Sequence, residues 1–300
     1  MPDATDVREL REAATAAQSA ADYLKLAEVA RRMIELSERD GDARNAAWGR
    51  YYSAVALYQR NDGQAAKREY RAARELFETL GDREGVVRST IGLAVVALDV
   101  DVDVSEAHHL YDLTLPIVRD LGDKRGLGIV LGNLGEIYRL EGSVAKAIRS
   151  AEESATLFRE LDERALLGWQ LGNIAHFRLL RHDPAGALES VREAYAELQK
   201  DPVPRWIAEH FDVCFIIAAA LDRWEAAAQI YAFANRYRDD NNAPRYQGIL
   251  PWFSRPVEKL SQHIETARLH ELFDMGESLS VERAHELVFE EPLNRGVAPR

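Results

Sequence analysis

The sequence predicts an all-α solenoid of about six helical hairpins closed by a C-terminal helical cap, and three observations carry that prediction. First, an alanine recurs at Ala66, Ala107, Ala147, Ala187 and Ala227, with gaps of 41, 40, 40 and 40 residues. A fixed period of this length marks a repeat architecture, in which each unit buries its faces against its neighbours. Second, the period extends along a helix face. Four residues on stand Tyr70, Tyr111, Ala151, Val191 and Tyr231, and seven on stand Ala73, Thr114, Ser154, Ala194 and Ala234. Positions 0, +4 and +7 share one side of an α-helix, and the small residues let a neighbouring helix approach closely. A second amphipathic segment precedes each: Ala54-x-x-Leu57, Leu93-Ala94-x-x-Ala97, Leu134-Gly135-x-x-Tyr138 and Ile174-Ala175-x-x-Arg178. Each unit is therefore a hairpin, helix A then helix B. Third, Leu80-Gly81-Asp82-Arg83-Glu84-Gly85 and Leu121-Gly122-Asp123-Lys124-Arg125-Gly126 are near copies, and Gly41-Asp42 opens the first full unit. Glycine ends helix B in a left-handed conformation and the next aspartate caps helix A.

Residues 1–40 read as an N-terminal helical pair, a diverged repeat or a cap, since Leu26 stands where the column asks for alanine. Five repeats fill 41–240, bounded at 41–80, 81–121, 122–161, 162–200 and 201–240. The second has one extra residue in Asp99-Val100-Asp101-Val102-Asp103-Val104-Ser105. Its alternation is strand-like, but the phase resumes at Ala107, so it is read as a lengthened A–B turn. Asp162 replaces the turn glycine of the fourth repeat, and Asp201-Pro202-Val203-Pro204 gives the fifth a stiffer joint. Asp183-Pro184 reads as an N-cap with proline at the first helical position, and Asp222-x-x-Glu225 has capping-box form. Residues 241–291 form the cap, with a long or broken helix over about 246–273 and a short one begun by Ser280; 292–300 is a tail.

The net charge is −12, with acidic and basic residues interleaved. Binding phosphates needs a basic stripe, so nucleic acid is not an expected direct partner. The single cysteine, Cys214, excludes an internal disulfide and reads as a buried small apolar residue. Met1–Asp6 has no signal-peptide character, and the longest apolar run, Val213–Leu221, is too short to span a bilayer. A cytoplasmic location without membrane association is expected. No phosphate-binding glycine loop occurs. His108-His109, with Glu106 and Asp112, read as surface residues, as do His263, His270 and Glu271 on the terminal helix. Glu209-His210 and His176 have no apparent nucleophile beside them, so the expectation is a non-enzyme without metal or other cofactor.

The Leu134-Gly135-x-x-Tyr138 pattern followed by Ala147 and Ser154 resembles the tetratricopeptide repeat (TPR). That resemblance covers roughly residues 41–290 and implies a right-handed superhelix with helices A lining its concave face. The long period with Gly-Asp-x-x-Gly turns resembles a variety found in kinesin light chains and in the C-terminal sensor arrays of bacterial LuxR/SARP-type ATPase regulators. Ala226-Ala227-Ala228, Arg236, Pro244 and Ser278-Leu279-Ser280-Val281-Glu282-Arg283-Ala284 resemble the close of those bacterial arrays. The ATPase module and an evident helix-turn-helix are absent.

Leu131-Gly132-Asn133-Leu134-Gly135 and Leu171-Gly172-Asn173-Ile174-Ala175 resemble the Leu-Asn-Asn-Leu-Ala element whose asparagines, in kinesin light chains, hold a peptide backbone. A side-chain amide both donates and accepts, so it can pair with an extended peptide of any sequence. Asn133 and Asn173 could equally tie adjacent helices. The groove so inferred contains Trp48, Tyr51, Tyr52, Arg88, Glu136, Arg139, Trp169 and His176, an aromatic wall beside a mixed-charge floor. Trp48 and Trp169 have inter-repeat packing as their alternative. The lysine and asparagine of chaperone-type carboxylate clamps are missing, their columns reading Tyr51, Ile91, Gly132, Gly172 and Val55, Val95, Glu136, His176. The expected function is an interaction or sensor module for a peptide, protein segment or small effector in bacterial signalling or transcription regulation. The alternative is a constitutive scaffold. Self-association into a homo-oligomer is left open.

Overall fold

The computed structural model describes residues 7–20, 22–243, 245 and 250–290. Among them are fifteen α-helices and a terminal 3₁₀ turn, with no strand. The helices are α1 (Val7–Ser19), α2 (Tyr23–Asp40), α3 (Ala43–Gln59), α4 (Gly63–Leu80), α5 (Arg83–Asp99), α6 (Val104–Asp120), α7 (Lys124–Leu140), α8 (Val144–Glu160), α9 (Arg164–Leu180) and α10 (Pro184–Leu198). They continue as α11 (Pro204–Ala220), α12 (Trp224–Asn241), α13 (Leu250–His263), α14 (Thr266–Glu277) and α15 (Val281–Glu286), and the 3₁₀ turn is Leu287–Phe289. The chain forms two compact units, Met1–Val130 and Leu131–Arg300.

Every alanine of the 40-residue column is fully buried. In the first unit each of α1 to α5 packs on the next helix, and the A helices α1, α3 and α5 also pack in succession. Its interior is aromatic: Trp48 meets Tyr51 and Phe77 edge-on at 5.6 and 5.0 Å, and Tyr51 lies 6.0 Å from Tyr70. Such pairs add about 0.5–1.5 kcal/mol each beyond the area they bury.

The second unit repeats the scheme, with α9 against α8, α10 and α11, and α11 against α12. Here the close helix approach is visible at Gly168, where an added Cβ would lie 2.6 Å from Leu198 Cγ. The cap closes the array by packing α13 on α11 and α14 on α12.

The turns follow the predicted chemistry in most places. Gly41, Gly81 and Gly122 have φ of 71°, 64° and 67°. Asp42, Asp82 and Asp123 accept the N–H of Asn45, Gly85 and Gly126. Asp162 takes the left-handed conformation itself, with φ 58°. Asp183 caps α10 through the Gly186 N–H, with Pro184 at its start. Residues 100–103 form the lengthened turn: Val102 takes φ 54° and Asp103 caps α6. The Asp222 capping box is not formed. Asp222 occupies the left-handed turn position at φ 56°, and the cap position falls on Arg223. The terminal helix is broken at Ile264–Glu265, and Ser280 caps α15 through the Arg283 N–H. The predicted start at 246 and the tail 292–300 lie outside the described residues. No helix among the described residues is long and apolar enough to cross a membrane.

Candidate functional site

A cleft in the second unit is lined by Glu136 of α7, Trp169, Gly172, Asn173 and His176 of α9, and Trp206, Glu209, His210 and Val213 of α11. All three are A helices, so the repeat itself places successive equivalent turns along one face. Trp169 and Trp206 form the aromatic side, their rings 5.1 Å apart and tilted by 34°. Arg205 lies over Trp206 at 5.1 Å and donates to Glu209 at 3.1 Å. Asn173 is half-buried in the lining. Beside it, a Cβ built on Gly172 meets nothing within 4 Å. The equivalent Gly132 differs, since its Cβ would lie 2.6 Å from Gln170 Oε1. The cleft therefore opens at Gly172.

Glu136 and Arg139 form a buried i,i+3 pair through both guanidinium edges, the Nε bond being 2.8 Å. Arg139 is almost fully buried, so it supports Glu136 from beneath and is no part of an accessible floor. The mixed-charge floor is corrected accordingly: its two charges are spent on each other. His176 is buried as well; burial, reinforced by the positive charge of Arg139, pushes its pKa down to about 3. It is a neutral polar edge at physiological pH.

The residues expected to line one groove fall in separate units. Asn133, Glu136, Arg139, Trp169, Asn173 and His176 belong to the second, and Tyr51, Tyr52 and Arg88 to the first. The structure corrects the aromatic wall. Tyr51 and Tyr52 are buried, 5.4 Å apart, within the Trp48 cluster, and Tyr52 shares a 2.9 Å hydrogen bond with Thr15. Burial also raises the Tyr51 pKa. Three large rings within about one turn of α3 pack with Phe77 and Tyr70 of α4. Arg88 is exposed and bonded to Glu84 at 3.0 Å. Asn133 is half-buried on α7, three residues before Glu136, and is not part of the cleft lining.

Other histidines sort differently from their sequence neighbourhoods. His108 lies 3.7 Å from an exposed Asp112 on the surface of α6. His263 and His270 lie on different helices, α13 and α14, and do not share a face; His263 stacks on Trp224 at 3.9 Å. His210 and Cys214, read singly, suggest nothing, yet they are one helical turn apart and His285 joins them. The i,i+4 spacing on α11 was the available signal; the third member comes from the cap, 71 residues after Cys214.

No family model matches the chain, and no curated protein sequence matches it. Solved structures do match its fold. BtubC (BKLC) from P. vanneervenii aligns with TM-score 0.54 at 19% identity, over 80% of this chain and 94% of that one. The Rap conjugation gene regulator of plasmid pLS20, in complex with the Phr* peptide, aligns with TM-score 0.58 at 12% identity, over 84% of this chain and 74% of its own. A kinesin light chain-type protein of Podosopora anserina with nearly identical TPR-like repeats aligns at TM-score 0.48 and 14% identity, too distant to weigh. The fold is that of the TPR-like repeat proteins. Identities this low establish the fold alone.

Proposed function

We propose that this chain is a non-enzymatic peptide-binding module whose recognition site is the cleft between α7, α9 and α11. The observation that carries the reading is the juxtaposition of Asn173, the open position at Gly172 and the Trp169–Trp206 pair on successive A helices. The asparagine amide suits the backbone of an extended segment, and the indoles suit one apolar side chain of it. The Rap regulator, of like fold, is complexed with a peptide, which supports the same use of the fold here. The role in bacterial signalling or transcription regulation, in the cytoplasm, belongs to this proposal. It rests on the Ser278–Ala284 closing segment, and an ATPase or LuxR-type gene beside this one would support it.

The test begins with a partner recovered by affinity capture and mapped to a peptide. Gly172→Leu places its Cβ where nothing lies within 4 Å, exchanges a helix-interior glycine for a better helix former, and directs its side chain into the cleft. Binding is expected to be lost, with an unchanged or raised melting temperature. Asn173→Ala is expected to weaken binding roughly tenfold, through one lost hydrogen bond of about 1–3 kcal/mol when a ligand group is left unpaired. Asn133→Ala reports whether the ligand extends past the cleft. Wild-type affinity in Gly172→Leu would instead make the chain a scaffold that uses other surfaces.

A further inference from the structure

The side chains of His210, Cys214 and His285 converge on one point in the second unit. His210 Nε2 lies 3.1 Å from His285 Nδ1 and 3.3 Å from Cys214 Sγ, and the three donor atoms all lie within 4.8 Å of one another. All three residues are buried. Aromatic rings enclose them: Tyr195 stacks on His285 at 3.9 Å and on His210 at 5.6 Å, Phe289 meets His285 edge-on at 5.2 Å, and Phe211 meets His210 at 5.3 Å.

Hydrogen bonding leaves this arrangement incompletely satisfied. A neutral imidazole nitrogen carries one proton or one lone pair. His210 Nε2 therefore cannot accept from the thiol and donate to His285 at once, though both neighbours stand at contact distance. Its other ring nitrogen, Nδ1, is buried without a partner, so no second hydrogen bond fixes the ring's tautomer. Two imidazole nitrogens and a sulfur gathered within 4.8 Å of one another make a donor set that a metal ion can take.

We propose that His210, Cys214 and His285 bind one monovalent copper ion. Metal–nitrogen bonds near 2.0 Å and a metal–sulfur bond near 2.3 Å place such donors roughly 3.3–3.7 Å apart. The two short contacts need to open by only a few tenths of an ångström. Thiolate with imidazole is a soft set that suits monovalent copper and zinc alike, and two features choose between them. A closed structural zinc site asks for a fourth protein ligand, whereas His210, Cys214 and His285 are three donors inside a ring of aromatics. Charge points the same way. A thiolate and a monovalent ion sum to zero, while a divalent ion would leave a net positive charge buried, which is costly.

On binding, the S–H bond breaks, its proton leaves to solvent, and the sulfur lone pair forms the bond to copper; no electron changes hands. His210 also lines the cleft between α9 and α11. The site joins α11 to α15, so occupancy would fasten the cap to the last repeat.

The experiment uses the full chain, anaerobic and reduced, titrated with monovalent copper against a chromophoric chelator and, separately, with zinc. Wild type is expected to take one copper ion per chain, with one sulfur and two nitrogen neighbours by X-ray absorption and a raised melting temperature. Cys214→Ala keeps a small apolar group at this position and is expected to weaken binding roughly 100-fold or more, beyond the loss that removing an outer-shell partner brings. His285→Ala is expected to do the same and to abolish the thermal shift. His109→Ala, on the surface of the other unit, is expected to change nothing. Failure of wild type to bind copper overturns the proposal. So does undiminished binding in a folded Cys214→Ala protein, or zinc binding more tightly than copper.

Discussion

Both units bury aromatic rings, but the second buries charged side chains among them as well. Among the described residues, the one charged side chain buried in Met1–Val130 is Asp82, which caps α5 and pairs with Arg44. Leu131–Arg300 buries Glu136, Arg139, Glu197, Asp212 and Arg238, besides three histidines. Asp212 is fully buried on α11 and held by Arg238 and Arg245. Both units solve the same stacking problem, so charge is not needed to build the repeat. Buried ion pairs seldom outdo well-packed apolar residues in stability. One of these pairs, Glu136–Arg139, lies at the cleft, where its use is to place a side chain, with sensitivity to substitution as the cost.

The largest expected effect breaks the comparison at Asp212. Asp212→Ala leaves two guanidiniums without their carboxylate and is expected to cost about 3–5 kcal/mol, read by denaturant unfolding. A cost below that of an ordinary surface substitution would mean that the arginines find other partners and that the charged interior is incidental.

Acid sharpens the comparison next. His176 has its pKa lowered to about 3 by burial, against 6.5 when unfolded. Between those values the unfolded chain holds more protons, so stability is at its plateau above pH 6.5 and falls as the pH drops toward 3. The slope is about 1.4 kcal/mol per pH unit. In the first unit, burial alone would raise Asp82, but the Gly85 N–H and Arg44 hold it below the usual range. Lys67 does the same for Asp101. Both contribute stability that is present above about pH 3.8 and lost below it. Hydrogen exchange across pH 7 to 4.5, corrected for intrinsic rates, is expected to show α9 losing protection while α4 and α5 keep theirs. The reverse order would place the acid-labile element in the wrong unit.

The smallest effect concerns the turns. Gly81 and Asp162 hold equivalent left-handed positions between hairpins. Gly81→Asp is expected to cost about 1 kcal/mol, and Asp162→Gly to gain somewhat less, because only glycine enters this region without steric penalty. Melting temperatures moving in the same direction for both would show that the turns are not equivalent.

The repeat was legible because its signal is local and recurs. The alanine column, the Gly-Asp turns and the phase resumed at Ala107 each report a constraint that one helix meets on its neighbour. The asparagine element was legible for the same reason, and Asn173 does line the cleft. What the sequence hid is burial of polar groups. Glu136 and Arg139 look like any solvated i,i+3 pair, and nothing local says that the face they share is closed. Tyr51 and Tyr52 look like groove aromatics until Phe77 and Tyr70 arrive from the next helix. Asp222 matched a capping pattern whose first residue was already taken by the turn. His285 was out of reach because its partners are brought to it by the closure of the cap, which no spacing rule encodes.

Three arginines of α12 and its approach hold the C-terminal segments by carbonyl oxygens alone. Arg223 donates to Val288, Arg236 to Leu279 at 2.9 Å, and Arg238 to Ala243 at 2.6 Å. A carbonyl is the one acceptor that every residue type presents. The hydrogen bonds themselves do not read the side chains of Leu279, Ala243 and Val288; Ala243 and Val288 are fixed instead by their burial. Attachment through the backbone leaves exposed positions of the cap, such as Ser278 and Glu282, free to carry other side chains without loosening these contacts.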